Sequence, residues 1–389
     1  MGSVGQNVKG VRKRRGLTQR ELATASRVSL STIRKLEQGE REGTSLETLR
    51  KLAHALRVPT MQLRGAPHEE DASPEVVDRW AAVRNAVERP SLLLGTAGDQ
   101  PTLAGVRDAL HAAVPLFARD RFAELSVLLP DLLRDAEALG PEGRAVRVRL
   151  LQLVGWLMVQ TRQFTAAETA LERALDGAFD RLEGAATVST QCWLLLRQGE
   201  LAAAYDLAVR WADELEPRLS RATPGELSTW GWMLLRVSAA AIRNAQPEAA
   251  EDALKYATAA AVTLGREHTP DNDFLLTFGP TTVKLKAAEN ASVVDRPDVV
   301  LRIAERVPLR SLKPTSNNRN RHLLDVADAH TKTGAHADAF DKLRQIHRDS
   351  PQWLPNQRYA RDILGRVIKR RRTLTAEMRA MADVVGLPF

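Results

Sequence analysis

The chain has 389 residues, 44% apolar and 27% charged, an ordinary balance for a globular protein but too long for one small core. No apolar run reaches the roughly 18 residues of a membrane span, and the basic start MGSVGQNVKGVRKRRG is followed by no secretory apolar stretch. The net charge of +8 is local: residues 1–65 hold 14 Lys/Arg against 5 Asp/Glu, while the rest of the chain sets 42 against 43. A compact basic module on a near-neutral body is the electrostatic footprint of a polyanion binder. The single cysteine, Cys192, excludes an internal disulfide. It reads as a small buried apolar residue in a reducing, cytoplasmic setting, with no membrane partner expected.

Four short helices fit into the basic module. The first runs from about Gln6 to Arg15, with Val8 and Val11 one turn apart and Gly16 ending it. Thr18 and Glu21 have the spacing of a capping box opening the second helix, which carries Leu22 and Ala23. Ser29 caps the third, which runs to Gln38 with Ile33 and Leu36 at helical spacing; Gly39 stops it. Thr44 and Glu47 suggest a second capping box before the stripe Leu46, Leu49, Leu52, Ala53 and Leu56. A tight turn at Ser26–Val28 between the second and third helices is helix-turn-helix spacing.

The stretch LTQRELATASRVSLSTIRKLEQGE followed by LETLRKLAHALRV resembles the lambda-repressor/Cro-like (XRE) family of transcription regulators. Thr18-Gln19, Leu22-Ala23, Val28-Ser29, Ile33, Leu36-Glu37 and Gly39 stand at the family's spacing. The resemblance implies a helix-turn-helix domain over residues 5–65 that binds double-stranded DNA as a homodimer. It implies that the third helix enters the major groove, with Leu30, Ser31, Thr32, Arg34 and Lys35 reading bases. Gln19, Arg14, Arg15, Arg41 and Thr44 become candidate phosphate contacts. Arg12 and Glu37 match a structural salt bridge. One departure is Arg27, where the family has a turn glycine; either a positive φ there costs arginine about 1 kcal/mol or the turn differs slightly.

Residues 66–75 are acidic and carry two prolines, Pro67 and Pro74, the composition of a linker. From residue 76 to 389 the pattern is helical, with self-similarity at about 40-residue spacing. Second helices of hairpins are marked at Phe122, Phe164, Leu201, Pro247, Pro297 and His336; in one hairpin Gly155 lies in the first helix, and Ala167, Leu171 and Ala174 stand at i, i+4 and i+7 in the second. This looks like a degenerate tetratricopeptide (TPR) array, so the expected fold class is all-α: a helix-turn-helix domain followed by a TPR-like helical-hairpin solenoid. Final helices are expected at Tyr359–Arg372 and Thr375–Val385.

The layout is similar to the helix-turn-helix plus TPR regulators of Gram-positive bacteria, some of which sense peptides. By that resemblance the array dimerises and its groove takes a peptide or small-molecule effector. Asn244, Asn317, Asn318 and Asn320 are candidates for backbone amides, Arg236, Arg243 and Arg321 for a carboxylate, and Trp193, Trp230 and Trp232 for a pocket wall. Read as structure alone, the tryptophans are core and the asparagines caps. No phosphate-cradling loop, nucleophile motif or metal-spaced Cys/His set is present, so no enzyme, cofactor or metal is expected. The alternative to a regulator is a TPR interaction adaptor whose basic module only tethers it to DNA.

Overall fold

The structure, a computed structural model, describes residues 4–15, 17–40, 44–56, 58, 60, 63, 78–90, 101–270, 277–307, 316–369 and 374–387. The expected linker 66–75 lies outside them. The described residues are almost entirely helical, and β-pairing among them is one isolated bridge, His268 with Phe278.

Helices α1 (Val4–Arg14), α2 (Gln19–Ser26), α3 (Leu30–Gln38) and α4 (Leu46–Leu56) enclose a core of their own, with Val8, Val11, Leu22, Ile33, Leu36, Leu52 and Leu56 buried. Gly5 lets α1 close on α3: a Cβ there would lie 1.8 Å from the Leu36 carbonyl oxygen. The Thr18–Glu21 box forms reciprocally, Glu21 N–H donating to the Thr18 hydroxyl (3.2 Å) and Thr18 N–H to the Glu21 carboxylate (2.7 Å). The second expected box does not form as read. Ser45, not Thr44, caps α4, its hydroxyl accepting from Thr48 N–H at 3.2 Å, and the Thr44 hydroxyl finds no partner among the described residues. Two neighbouring hydroxyls compete for one cap, and the backbone entry into the helix decides between them.

After α5 (Ala81–Glu88) come the hairpins α6 (Leu103–Ala118) and α7 (Phe122–Ala138), α8 (Arg144–Gln160) and α9 (Phe164–Asp176), and α10 (Arg181–Gln198) and α11 (Leu201–Leu215). They continue as α12 (Pro224–Arg243) and α13 (Pro247–Leu264), α14 (Pro280–Val293) and α15 (Pro297–Ala304), and α16 (Ser316–Lys332) and α17 (His336–Asp349). Helices α18 (Arg358–Lys369) and α19 (Ala376–Val384) end the described chain. All six second helices begin at the residues that the sequence spacing marks.

One turn recurs in every hairpin. Asp120, Arg162, Gly199, Ala245, Asp295 and Gly334 each take a left-handed conformation, with φ between 54° and 91°. The next residue's N–H then donates to the carbonyl five residues back: Arg121 to Leu116, Gln163 to Met158, Glu200 to Leu195, Gln246 to Ala241, Arg296 to Ala291 and Ala335 to His330, all at 2.8–3.0 Å. This Schellman closure satisfies a terminal carbonyl and reverses the chain. Glycine supplies it at two of the six turns; elsewhere a Cβ is strained against its own backbone. Ala245→Gly is therefore expected to raise stability by about 0.5–1 kcal/mol, the relieved strain outweighing the extra freedom of an unfolded glycine. Denaturant midpoints of the two proteins measure this, and a lower midpoint for the variant contradicts it.

The first helices α6, α8, α10, α12, α14, α16 and α18 pack each against the next, whereas the second helices pack mainly on their hairpin mates and the following first helix. The first helices thus form the short inner arc and the second helices fan around them. Gly155 in α8 permits the close approach of α9, since a Cβ would lie 2.6 Å from Leu171. Gly231 in α12 accepts the ring of Phe278, which would be 2.0 Å from an added Cβ. The array curls far enough for its ends to meet. Ala123 N–H in the first hairpin donates to Gln352 Oε1 at 2.7 Å, and one core cluster joins Phe122 and Leu157 with Phe340 and Ile363. The result is a ring-like body with the first helices inside.

Candidate nucleic-acid interface

Helix α3 is held from three sides. Ser29 caps it, its hydroxyl accepting from Thr32 N–H at 3.1 Å; Ile33 and Leu36 are fully buried beneath it; Gly39 ends it at φ 78°. The opposite face is open. Ser31, Arg34 and Lys35 are exposed, and Leu30 and Thr32 half-buried. All five expected base-reading residues therefore lie on one short, capped helix. The turn before it is made by Arg27 at φ 53°, ψ 30°, the left-handed conformation that the family's glycine adopts without strain.

Under α3 lies a buried ion pair. Arg12 Nε and Nη2 donate to the two oxygens of Glu37, each at 2.7 Å, and Arg12 Nη1 donates to the Leu17 carbonyl at 2.8 Å. Burial alone would raise the Glu37 carboxyl's pKa, but hydrogen bonds from Arg12 and Gln19 and the guanidinium charge hold it below the usual range. The hydrogen bond to Glu37 in turn raises the Arg12 pKa. Gln19 is half-buried and donates its amide to Glu37 Oε2 at 2.9 Å, which ties the start of α2 to the same carboxylate. Arg15 is exposed and Thr44 half-buried. Arg41 and the side chain of Arg14 lie outside the described residues.

The candidate groove residues fall into two groups. Trp230 and Trp232 are buried in the second core cluster, Trp232 donating its indole N–H to the Thr277 carbonyl at 3.2 Å. Asn320 is fully buried with its amide donating to Ser350 Oγ at 2.8 Å. Asn244 is the C-terminal cap of α12. These residues serve the fold by burial or capping, as the structural reading of tryptophan and asparagine has it. Asn318 is half-buried, and the side chain of Asn317 lies outside the described residues.

The charged candidates line the inner helices beside aromatic rings. Arg236 donates to Ser189 Oγ at 3.1 Å and sits 5.1 Å from the Trp232 ring centroid. Arg321 sits 4.8 Å over Tyr359, and Trp193 carries Arg197 at 6.0 Å. Arg243 pairs with Glu289, which Lys286 also meets at 2.9 Å. Sequence spacing alone does not single out Arg197, Lys286 or Tyr359, because first helices of different hairpins supply them. Burial, then the charges of Arg162, Arg321 and Arg358, push the Arg197 pKa down to about 9. Arg321 also meets Asp325 at 3.4 Å, so the inner helices bring these cations together with Glu289 and Asp325.

Residues 8–63 match the helix-turn-helix family model. Two Bacillus subtilis (strain 168) proteins are similar over the same end of the chain. An uncharacterized HTH-type transcriptional regulator, RghRB, is 38% identical over 77 residues, which is 20% of this chain and 55% of that protein. The HTH-type transcriptional repressor RghR is 41% identical over 59 residues, 15% of this chain and 44% of that protein. The chain spans about half the length of these curated relatives. No solved structure shows a significant match.

Proposed function

We propose that this protein is a sequence-specific, DNA-binding transcription regulator that places α3 in the major groove as a homodimer. The observation that carries the reading is the open face of α3: Ser31, Arg34 and Lys35 exposed on a helix whose opposite side is locked by Ile33, Leu36 and the Arg12–Glu37 pair. Arg34 or Lys35 is placed one turn into the helix, where a cation meets guanine O6/N7, and Leu30 meets a thymine methyl. Gln19, Arg15 and Thr44 flank this face as phosphate contacts, with Arg14 and Arg41 adding charge. Two copies are required because one module reads only a few base pairs, and paired half-sites one helical turn apart multiply affinity and specificity. The inner wall of the array, with Arg236, Arg243 and Arg321 and the half-buried Trp193, takes an effector bearing a carboxylate, a peptide or small molecule.

Gel shifts on DNA from the protein's own promoter region, at several salt concentrations, test the reading. Affinity should fall with a log–log slope of roughly 0.9 per phosphate neutralised. Arg34→Ala and Lys35→Ala are each expected to weaken specific binding about tenfold, or about 1.4 kcal/mol, with the helical content unchanged. Wild-type affinity in both variants would remove α3 from the groove; binding indifferent to sequence would leave only a tether.

A further inference from the structure

The module meets the ring through α4 and through the end of α2 with the Arg27 turn. From α4, Lys51 Nζ approaches Asp295 Oδ2 of the fifth hairpin turn at 3.7 Å, and Arg50 lies 5.8 Å from the Tyr359 ring centroid. Arg321 flanks the same ring at 4.8 Å. Between module and ring is a cavity of about 260 Å³, lined by the end of α2, by α4, by the fifth hairpin turn and by α16 and α18.

The charges around this cavity do not balance. Six Lys/Arg side chains line it against three aspartates, and one of the six, Arg296, pairs outside the lining with Asp298 at 2.9 Å, which leaves five cations to three carboxylates. Asp295 is already met by Lys332 at 2.8 Å as well as by Lys51, and Asp328 by Lys332 at 2.9 Å and by Arg366. Arg50 has no carboxylate or hydrogen-bond partner among the described residues. Burial, then the charges of Arg243 and Arg321, lower its pKa against the opposing pull of Tyr359 and Asp328. Arg50 is half-buried at the cavity wall, and an anion seated beside its guanidinium supplies an acceptor in place of water.

We propose that this cavity binds a small oxyanion carrying two or more charges, of the phosphate or pyrophosphate class, between Arg50 and Lys51 of the module and Lys332 and Arg366 of the ring. The guanidinium forks suit the paired oxygens of a phosphoryl group. The volume is below the usual range for drug-sized ligands, so the occupant is compact. Because both bodies contribute cations, occupancy holds the module in one orientation on the ring. By linkage, the anion and DNA then change each other's affinity by the same factor. That linkage rests on the regulator reading; the binding itself does not.

Calorimetric titration of the full chain with inorganic phosphate, pyrophosphate and citrate, at constant ionic strength, tests the site. One saturable pyrophosphate site per chain is expected. Arg50→Gln should weaken it at least tenfold, and Lys51→Gln should weaken it in the same direction. Arg344→Gln, on an exposed face of α17 away from the cavity, should leave it unchanged. Phosphate should bind more weakly at the same site; tighter citrate binding would point to a carboxylate ligand and overturn the phosphoryl assignment. Absence of saturable binding, or equal losses in Arg50→Gln and Arg344→Gln, would overturn the site. Gel shifts run in parallel separate the readings: DNA binding without anion binding defeats only this proposal, and anion binding without DNA binding defeats only the regulator.

Discussion

Glu37→Ala is expected to destabilise the helix-turn-helix module by about 3–5 kcal/mol and to abolish specific DNA binding without any loss of a DNA contact. The substitution strands the Arg12 guanidinium, whose side chain is 10% exposed, and takes away the acceptor that anchors Gln19 at the start of α2. A module of about 60 residues has roughly 3–9 kcal/mol in total, so most of its stability goes. All seven tryptophans lie at position 80 or beyond, which makes tryptophan fluorescence blind to this event. Hydrogen exchange of amides in α1–α4 is the measurement: they should lose protection while those of α8–α14 keep it. Arg12→Met combined with Glu37→Leu removes both charges and should restore most of the protection, since no buried charge is then unpaired. Retained protection in Glu37→Ala would show that the pair contributes little and that the apolar core alone holds the module.

The second large effect is an acid limb of stability set by His322 in α16. This imidazole is 2% exposed and neither ring nitrogen has a hydrogen-bond partner among the described residues. Burial, with a smaller contribution from Lys342, pushes its pKa down to about 4 from the ordinary 6.5. Between those values the unfolded chain binds a proton that the folded chain refuses, so stability is present above pH 6.5 and falls as the pH drops toward 4. The loss is at most about 3 kcal/mol. Asp325, one turn away, acts in the opposite sense: burial foremost pushes its carboxyl up to about 6, against the charge of Arg321, so folding takes up a proton there on acidification. Comparing wild type with His322→Leu cancels the aspartate's contribution. Denaturant midpoints from pH 7.5 to 4 should diverge below pH 6.5, the leucine variant being the more resistant to acid. Parallel curves would mean that His322 is protonated within the fold.

The helix-turn-helix was legible in the sequence because its determinants are local. A capping hydroxyl, a carboxylate three residues on, an apolar pair at i and i+3, and a glycine stop act within one or two turns of helix. At Arg27 the sequence leaves two outcomes open, a strained positive φ or a different turn, and the chain takes the left-handed conformation even with a Cβ present. The six hairpin starts were legible because each Schellman closure sits two residues before a helix. The Thr44–Ser45 cap was misread because two adjacent hydroxyls have nearly equal claims, and only the path of the backbone chooses.

Residues far apart in sequence were assigned by tertiary structure alone. Whether a tryptophan on a helix is core or groove depends on which neighbour covers it, and Phe278 and its segment cover the α12 face from more than 40 residues away. Closure of the ring through Ala123 and Gln352, separated by 229 positions, follows from the summed rotations of successive hairpins, which no single motif encodes. Arg50 was one more basic residue of an amphipathic helix until α18 brought Tyr359 against it. Local chemistry thus determined the elements and the open-faced helix α3. Packing between elements decided which charges meet water, which meet each other, and which face a cavity.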